Sequence, residues 1–152
     1  MNQISVKQAD LTDIEALVRL FDSYREFYGC KSDPKAARDF LTARIKNDES
    51  VIFIAQESET AVGFTQLYPC FSSVSLARTL ILNDLFVTPE NRKKGIGSLL
   101  LSAAVEYAKT MNAIRLTLST EVTNKTAQVL YESKGWVKDQ QFYSYDFTVS
   151  TR

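Results

Sequence analysis

The spacing of hydrophobic positions changes several times along this chain, and each change marks an element. Residues 3–7 alternate polar and apolar side chains, which predicts a first strand. Asp10-Leu11-Thr12-Asp13 is rich in helix-starting residues, and Ile14, Leu17, Val18 and Phe21 then recur at helical spacing in a region that Gly29 closes. Asp33-Pro34 opens a second helix, with proline suited to its first position and Phe40, Leu41 and Ile45 on its apolar face. Residues 51–56 and 61–69 are strand-like and flank the polar turn Glu57-Ser58-Glu59-Thr60, so the pair reads as a hairpin. Residues 71–75 read as a loop. Residues 80–87 are apolar on both faces, as a central strand must be. A helix over 97–111, a strand over 113–119 and a helix over 123–134 follow. A strand starting at Trp136-Val137 and a last strand over 142–149 complete the order. Strands and helices mixed in this way predict an α/β domain with a central sheet.

Composition narrows the function classes. A chain of 152 residues fits one domain with a real core. The formal net charge is zero, and no basic tract extends beyond Arg92–Lys94, so a large nucleic-acid surface is not indicated. No charged-then-apolar leader pattern and no run of about 18 apolar residues occurs. A cytoplasmic protein that neither enters a membrane nor binds nucleic acid is the expectation. The chain has no histidine, and Cys30 and Cys70 follow no metal spacing, so no metal site is expected and histidine-based triads are excluded. The cysteines are expected to be reduced and structural, with a nucleophilic role as the alternative.

The most informative stretch is Val87-Thr88-Pro89-Glu90-Asn91-Arg92-Lys93-Lys94-Gly95-Ile96-Gly97-Ser98. It joins an apolar strand to a helix through a basic, glycine-containing loop. Unpartnered N–H groups and the dipole at a helix N-terminus favour a phosphate-bearing ligand, and Arg92, Lys93 and Lys94 add charge. The dinucleotide fingerprint fails, because Leu100 stands where its third glycine belongs and seven residues separate Val87 from Gly95. The nucleotide P-loop fails too, because Gly97 is followed by Ser98 with no lysine. What remains, Arg-x-x-Gly-x-Gly after a strand ending Val-x-Pro, resembles the acyl-CoA pyrophosphate loop of the GNAT superfamily of N-acetyltransferases.

A second segment points the same way. In Asn124 to Trp136, at about 100° per residue, Asn124, Ala127 and Tyr131 share one helix face, and Gly135 sits where a helix ends in left-handed geometry. By itself this is an amphipathic helix with Tyr131 packed in a core. Asn-x-x-Ala-x-x-x-Tyr-x-x-x-Gly-aromatic also resembles the GNAT segment that lines the other wall of the CoA site. The likeness is close over residues 80–137, and in the N-terminal half it covers only the order of elements.

The resemblance implies a GNAT-like fold, a central mixed and mostly antiparallel sheet flanked by helices, forming a single acetyltransferase domain over 1–152. It implies direct transfer of an acetyl group from acetyl-CoA to an amine. Leu85, Phe86 and Val87 would pair their backbone with the pantetheine arm. The amides of Arg92, Lys93, Lys94, Gly95, Ile96, Gly97 and Ser98 would hold the pyrophosphate, Asn124 would contact the pantetheine beside Ala127, and Tyr131 would sit near the sulfur. A phenol with a pKa near about 10 is a competent proton donor to a leaving thiolate; the alternative for Tyr131 is packing against the cofactor. Asp84 is the candidate base, directly or through water, or else a group that satisfies backbone donors or holds a substrate cation. Many family members carry a glutamate in this strand, where Asn83 and Asp84 stand here. Tyr24 and Tyr28, with Phe27, would line the acceptor side with Asn83 and Asp84. A small-molecule primary amine is the expected acceptor. A protein or peptide acetyltransferase and a non-catalytic acyl-CoA-binding regulatory module stay open beside it. The aromatics of 142–149 would serve a homodimer interface.

Overall fold

Strand β1 (Ile4–Gln8) pairs antiparallel with β2 (Val51–Glu57), β2 with β3 (Thr60–Ser72), and β3 with β4 (Ala77–Val87), while β5 (Leu116–Thr117) lies parallel to β4. The result is a five-stranded mixed sheet in the order β1-β2-β3-β4-β5. Helix α1 (Ile14–Phe27) and helix α2 (Pro34–Lys46) lie between β1 and β2 in the chain, and helix α3 (Ile96–Thr110) connects β4 to β5. These elements form one compact unit that ends at Ser119; Thr120–Arg152 forms a second, which contains helix α4 (Lys125–Ser133). The coordinates are a computed structural model that describes residues 3–152.

Period-two alternation divides the core. Ile52 and Ile54 of β2, Phe64 of β3 and Phe86 of β4 pack with Leu17, Val18, Leu20 and Phe21 of α1 and with Ala37 and Leu41 of α2. Ala55 and Val62 lie in a separate cluster with Ile96 and Leu100 of α3, and Phe53 packs against it. Helices α1 and α2 therefore cover one face of the sheet and α3 the other. Side-chain caps set where the first helices begin. Asp10 accepts from the N–H of Thr12 before a single 3-10 turn, and Asp33 accepts from the N–H of Ala36 ahead of Pro34. Among the described residues no helix is long and apolar enough to cross a membrane.

Two expectations change. Strand β3 runs to Ser72, so Phe71 belongs to the ladder rather than to a loop, because β4 starts at Ala77 and pairs with it out to the hairpin tip. The two C-terminal strands are absent: residues 134–152 join no ladder, and Phe142, Tyr143, Tyr145 and Phe147 are exposed. Alternating aromatics give a strand its pattern, but a strand exists only with a partner for its backbone.

At Gly63 the β4 backbone leaves no room for a side chain. A Cβ there would stand 2.8 Å from the carbonyl oxygen of Phe86 and 3.4 Å from Leu100 Cδ1. The oxygen is backbone and cannot swing aside. Gly63→Ala is expected to cost about 1–3 kcal/mol as overpacking and to lower the midpoint of a thermal melt followed by circular dichroism. An unchanged midpoint would show that the strands separate freely at this point.

Candidate active site

One extra residue in β4 shapes the surroundings of Asp84. Gln66 stands opposite Asp84 and Leu67 opposite Leu82, so Asn83 has no partner across the ladder. Such a bulge bends the strand and re-aims its side chains. Asp84 lies two residues from Phe86 and shares its face, the α1 side of the sheet. It is 3% exposed. Gln66 Nε2 donates to Asp84 Oδ2 at 2.5 Å and Asn83 Nδ2 to Oδ1 at 2.8 Å. The Tyr24 hydroxyl completes the set of side-chain donors. Burial raises the Asp84 pKa above the ordinary carboxylate value, and the three hydrogen bonds, which favour the ionised form, offset this only in part.

Aromatic rings enclose this carboxyl. Tyr24 packs edge-on against Phe64 at 5.6 Å and Phe86 at 6.0 Å, and Tyr28 against Tyr24 at 5.1 Å. Burial, and then the Asp84 charge, hold the Tyr24 phenol far above its usual pKa. The same two causes push Tyr68 up to about 12. Both phenols are therefore neutral donors across the physiological range. The structure brings Tyr24, Asn83 and Asp84 into contact, while Tyr28, exposed, packs against Tyr24 and Phe27. Alternation along β3 carries Tyr68, an aromatic the sequence also suggested for the acceptor side, and Gln66, which it did not single out, onto the same face as Phe64. The only sequence signal for Gln66 is a lone amide in an otherwise apolar stretch, and its meaning depends on the register that sets it opposite Asp84.

The far end of β4 leads to a bare helix start. Beyond Val87, a single 3-10 turn at Pro89–Asn91 precedes Lys93 at φ 64° and Gly95 at φ 81°, both left-handed. Gly95 caps α3 without a side chain, and the helical ladder begins with Leu99 N–H donating to Gly95 O at 3.1 Å. The amides of Ile96, Gly97 and Ser98 precede that bond, so the helix does not use them, and its dipole favours an anion there. Arg92 behaves differently from a free positive charge. Its Nε donates to Val87 O at 2.9 Å, and its guanidinium lies 5.2 Å from the Phe27 ring and 5.7 Å from Phe86. It thereby ties the loop to the end of β4 and to α1. Lys94 Nζ reaches Asn91 Oδ1 at 3.0 Å and Glu57 Oε2 at 3.5 Å.

Leu85, Phe86 and Val87 pair with β3 on one edge only. Strand β5 meets β4 at Leu80 and Ile81 alone, so from Leu82 onward the other edge has no ladder partner among the described residues. An open edge can accept an extended, amide-bearing ligand as an added strand. Together with the unused amides of α3, it suits the pantetheine arm and pyrophosphate of CoA.

In the second unit, Asn124 Oδ1 accepts from Ala127 N–H at 3.1 Å and caps α4. Its amide nitrogen remains a donor for other contacts. Tyr131 lies one turn beyond Ala127, with the Trp136 ring 6.2 Å away. Gly135 closes the helix at φ 92°. Cys30 and Cys70 are free and exposed, so neither packs in the core.

Residues 17–136 match the family model described as acetyltransferase (GNAT) family. The chain belongs to the GNAT acetyltransferase family. An uncharacterized N-acetyltransferase of Bacillus subtilis, YhfO, is 50% identical to it over 98% of this chain and 100% of that one. The crystal structure of a probable acetyltransferase superposes with a TM-score of 0.93 at 43% identity, covering 97% of this chain and 99% of the other. An aminoglycoside N-acetyltransferase, AAC(6')-Iy, solved in complex with CoA, shares the fold at a TM-score of 0.81 and 18% identity, over 97% of this chain and 96% of its own. This GNAT protein is an acetyl-CoA-dependent N-acetyltransferase.

The raised pKa of Asp84 has a consequence for stability. The folded state holds the proton more tightly than the unfolded chain, so stability falls as pH rises from the ordinary carboxylate value through the folded one. Thermal melts between about pH 4 and pH 7 are expected to show this decline, and Asp84→Asn to flatten it. Equal slopes in the two proteins would mean that Asp84 titrates as an ordinary exposed carboxylate.

Proposed function

We propose that this GNAT protein acetylates a small primary amine by direct transfer, with Asp84 taking the proton from the amine and Tyr131 giving one to the departing sulfur. The observation that carries this is the buried Asp84 carboxyl, held by Tyr24, Gln66 and Asn83 and close to Tyr68, beside an open edge of β4. A primary alkyl amine with a pKa near about 10.4 is only about 0.1% neutral near pH 7.4, so a base has work to do. A carboxyl raised from its ordinary value is a better base than an exposed aspartate.

Acetyl-CoA, when bound, supplies the acetyl group as a thioester. The backbone of Leu85, Phe86 and Val87 would align its arm along β4. The amides of Arg92, Lys93, Lys94, Gly95, Ile96, Gly97 and Ser98 would hold its pyrophosphate. Asn124, through the amide nitrogen not used in capping, and Ala127 would meet the arm from α4. Tyr131, on the same helix face, would present its phenol proton. The CoA complex of the aminoglycoside enzyme with this fold supports the cofactor assignment. The enclosed carboxyl and its aromatic surroundings favour a small cationic acceptor over a peptide. The exposed aromatics Phe142, Tyr143, Tyr145 and Phe147 fit a homodimer in the same reading.

A thiol-release assay against polyamines, amino acids, aminoglycosides and lysine peptides is expected to show turnover with one class of small amine. Asp84→Asn should lower kcat/KM by about a hundredfold or more and remove the acidic limb of its pH profile. Tyr131→Phe should act on kcat by a comparable factor. Turnover confined to lysine peptides would overturn the small-amine assignment, and unchanged rates in both variants would overturn the roles. Light scattering should give the mass of a dimer, and a monomer's mass would remove the dimer from the account.

A further inference from the structure

Gln66 carries an unmet demand at the centre of the first unit. The residue is 0% exposed. Its amide nitrogen is engaged by Asp84 Oδ2, and because an ionised carboxylate only accepts hydrogen bonds, that contact fixes which end of the amide faces Asp84. The carbonyl oxygen, Oε1, is left buried and without a hydrogen-bond partner among the described residues. The lost hydration of such an atom is not repaid, so its place in the fold calls for an explanation. An apolar side chain of similar size would fill the space without that cost.

Its surroundings name the use. Gln66 stands opposite Asp84 at the bulge, on the sheet face that Phe64, Phe86 and Tyr24 occupy. The Tyr24 and Tyr68 phenols beside Asp84 are both neutral, so among the described residues the cluster holds one carboxylate and one unpaired carbonyl, with the nearby Arg44 charge bearing on Tyr68. An alkylammonium group is complementary to this set. It carries three N–H donors and a positive charge, and it needs one acceptor that later takes a proton and another that does not.

We infer that Gln66 Oε1 is an acceptor-binding group that, with the Asp84 carboxylate, receives the N–H groups of a primary ammonium substrate. The inference rests on the acetyltransferase reading above and deepens it. Asp84 takes the proton; Gln66 holds the nitrogen in place through that transfer and keeps a hydrogen bond to the neutral amine as it attacks. Trimethylated amines, which have no N–H to offer, are excluded from this position.

The test is Gln66→Met, which removes the carbonyl together with the amide donor to Asp84 while nearly preserving side-chain volume, so the pH profile is read beside the amine KM. With acetyl-CoA saturating and cadaverine, tyramine and kanamycin as acceptors, the amine KM is expected to rise at least about tenfold, the equivalent of one hydrogen bond to a charged group. The KM for acetyl-CoA should stay unchanged. A lower midpoint with an unchanged amine KM would overturn the inference and leave Gln66 a structural residue. A shifted pH profile with an unchanged amine KM would also overturn it, because Gln66 would then only hold Asp84. If the wild-type protein turned over none of these amines, the acceptor assignment itself would fail. The thermal shift caused by each amine then decides separately: a shift in wild type that is lost in Gln66→Met supports the binding role, and an equal shift, or none in either protein, removes it.

Discussion

A carboxylate taken out of water must be met by donors, and the donors around Asp84 organise the sheet and the first helix of this protein. Gln66 reaches it from β3, Asn83 from the bulged residue of β4, and Tyr24 from α1. Each comes from a different element, so the carboxyl can be served only when the hairpin register and the helix packing are both correct. The raised pKa of Asp84 shows that these donors do not fully offset its burial. A core built for stability alone would place an apolar residue here. Keeping the acid gives up stability at neutral pH.

The cofactor side uses the opposite strategy, because its polar groups are left unused by the fold. Gly95 starts α3 without a capping side chain, and three amides precede the first helical bond. The same occurs along β4, where β5 stops pairing after Ile81. Backbone donors and acceptors that the fold leaves open are set by geometry and need no further ordering when a ligand arrives. Arg92 joins the two sides: it holds the end of β4 through Val87 O and stacks over Phe27 of α1. Arg92 therefore links the loop before α3 to α1.

Much of this was legible in the chain. The β4-loop-α3 segment carries its ligand chemistry locally, since glycine positions, a strand end and a helix start lie within about a dozen residues and depend only on nearest-neighbour geometry. Asp84 stood out as an acid in an apolar strand. Gln66 did not, because nothing in the β3 sequence says which residue of β4 will face it. The extra residue at Asn83 was equally hidden, since a bulge exists only as a mismatch between two strands. Arg92 was read as a surface charge near an anion site, and the structure turns its side chain back onto Val87 and Phe27. The aromatic alternation over 142–149 was a sound strand pattern without a strand, because pattern reports side chains and not pairing.

The sequence by itself determined the family, the order of the elements through α4 and the helix start at Asp33-Pro34. Each of these follows from interactions a few residues apart. Only the tertiary structure decided that Asp84 would be buried, that Gln66, Tyr24 and Tyr68 would surround it, and that Gln66 would be left with an unanswered carbonyl. Those facts depend on the register of β3 against β4 and on where α1 packs across them, and contacts between residues some twenty to sixty positions apart leave no period in the chain from which they could be read.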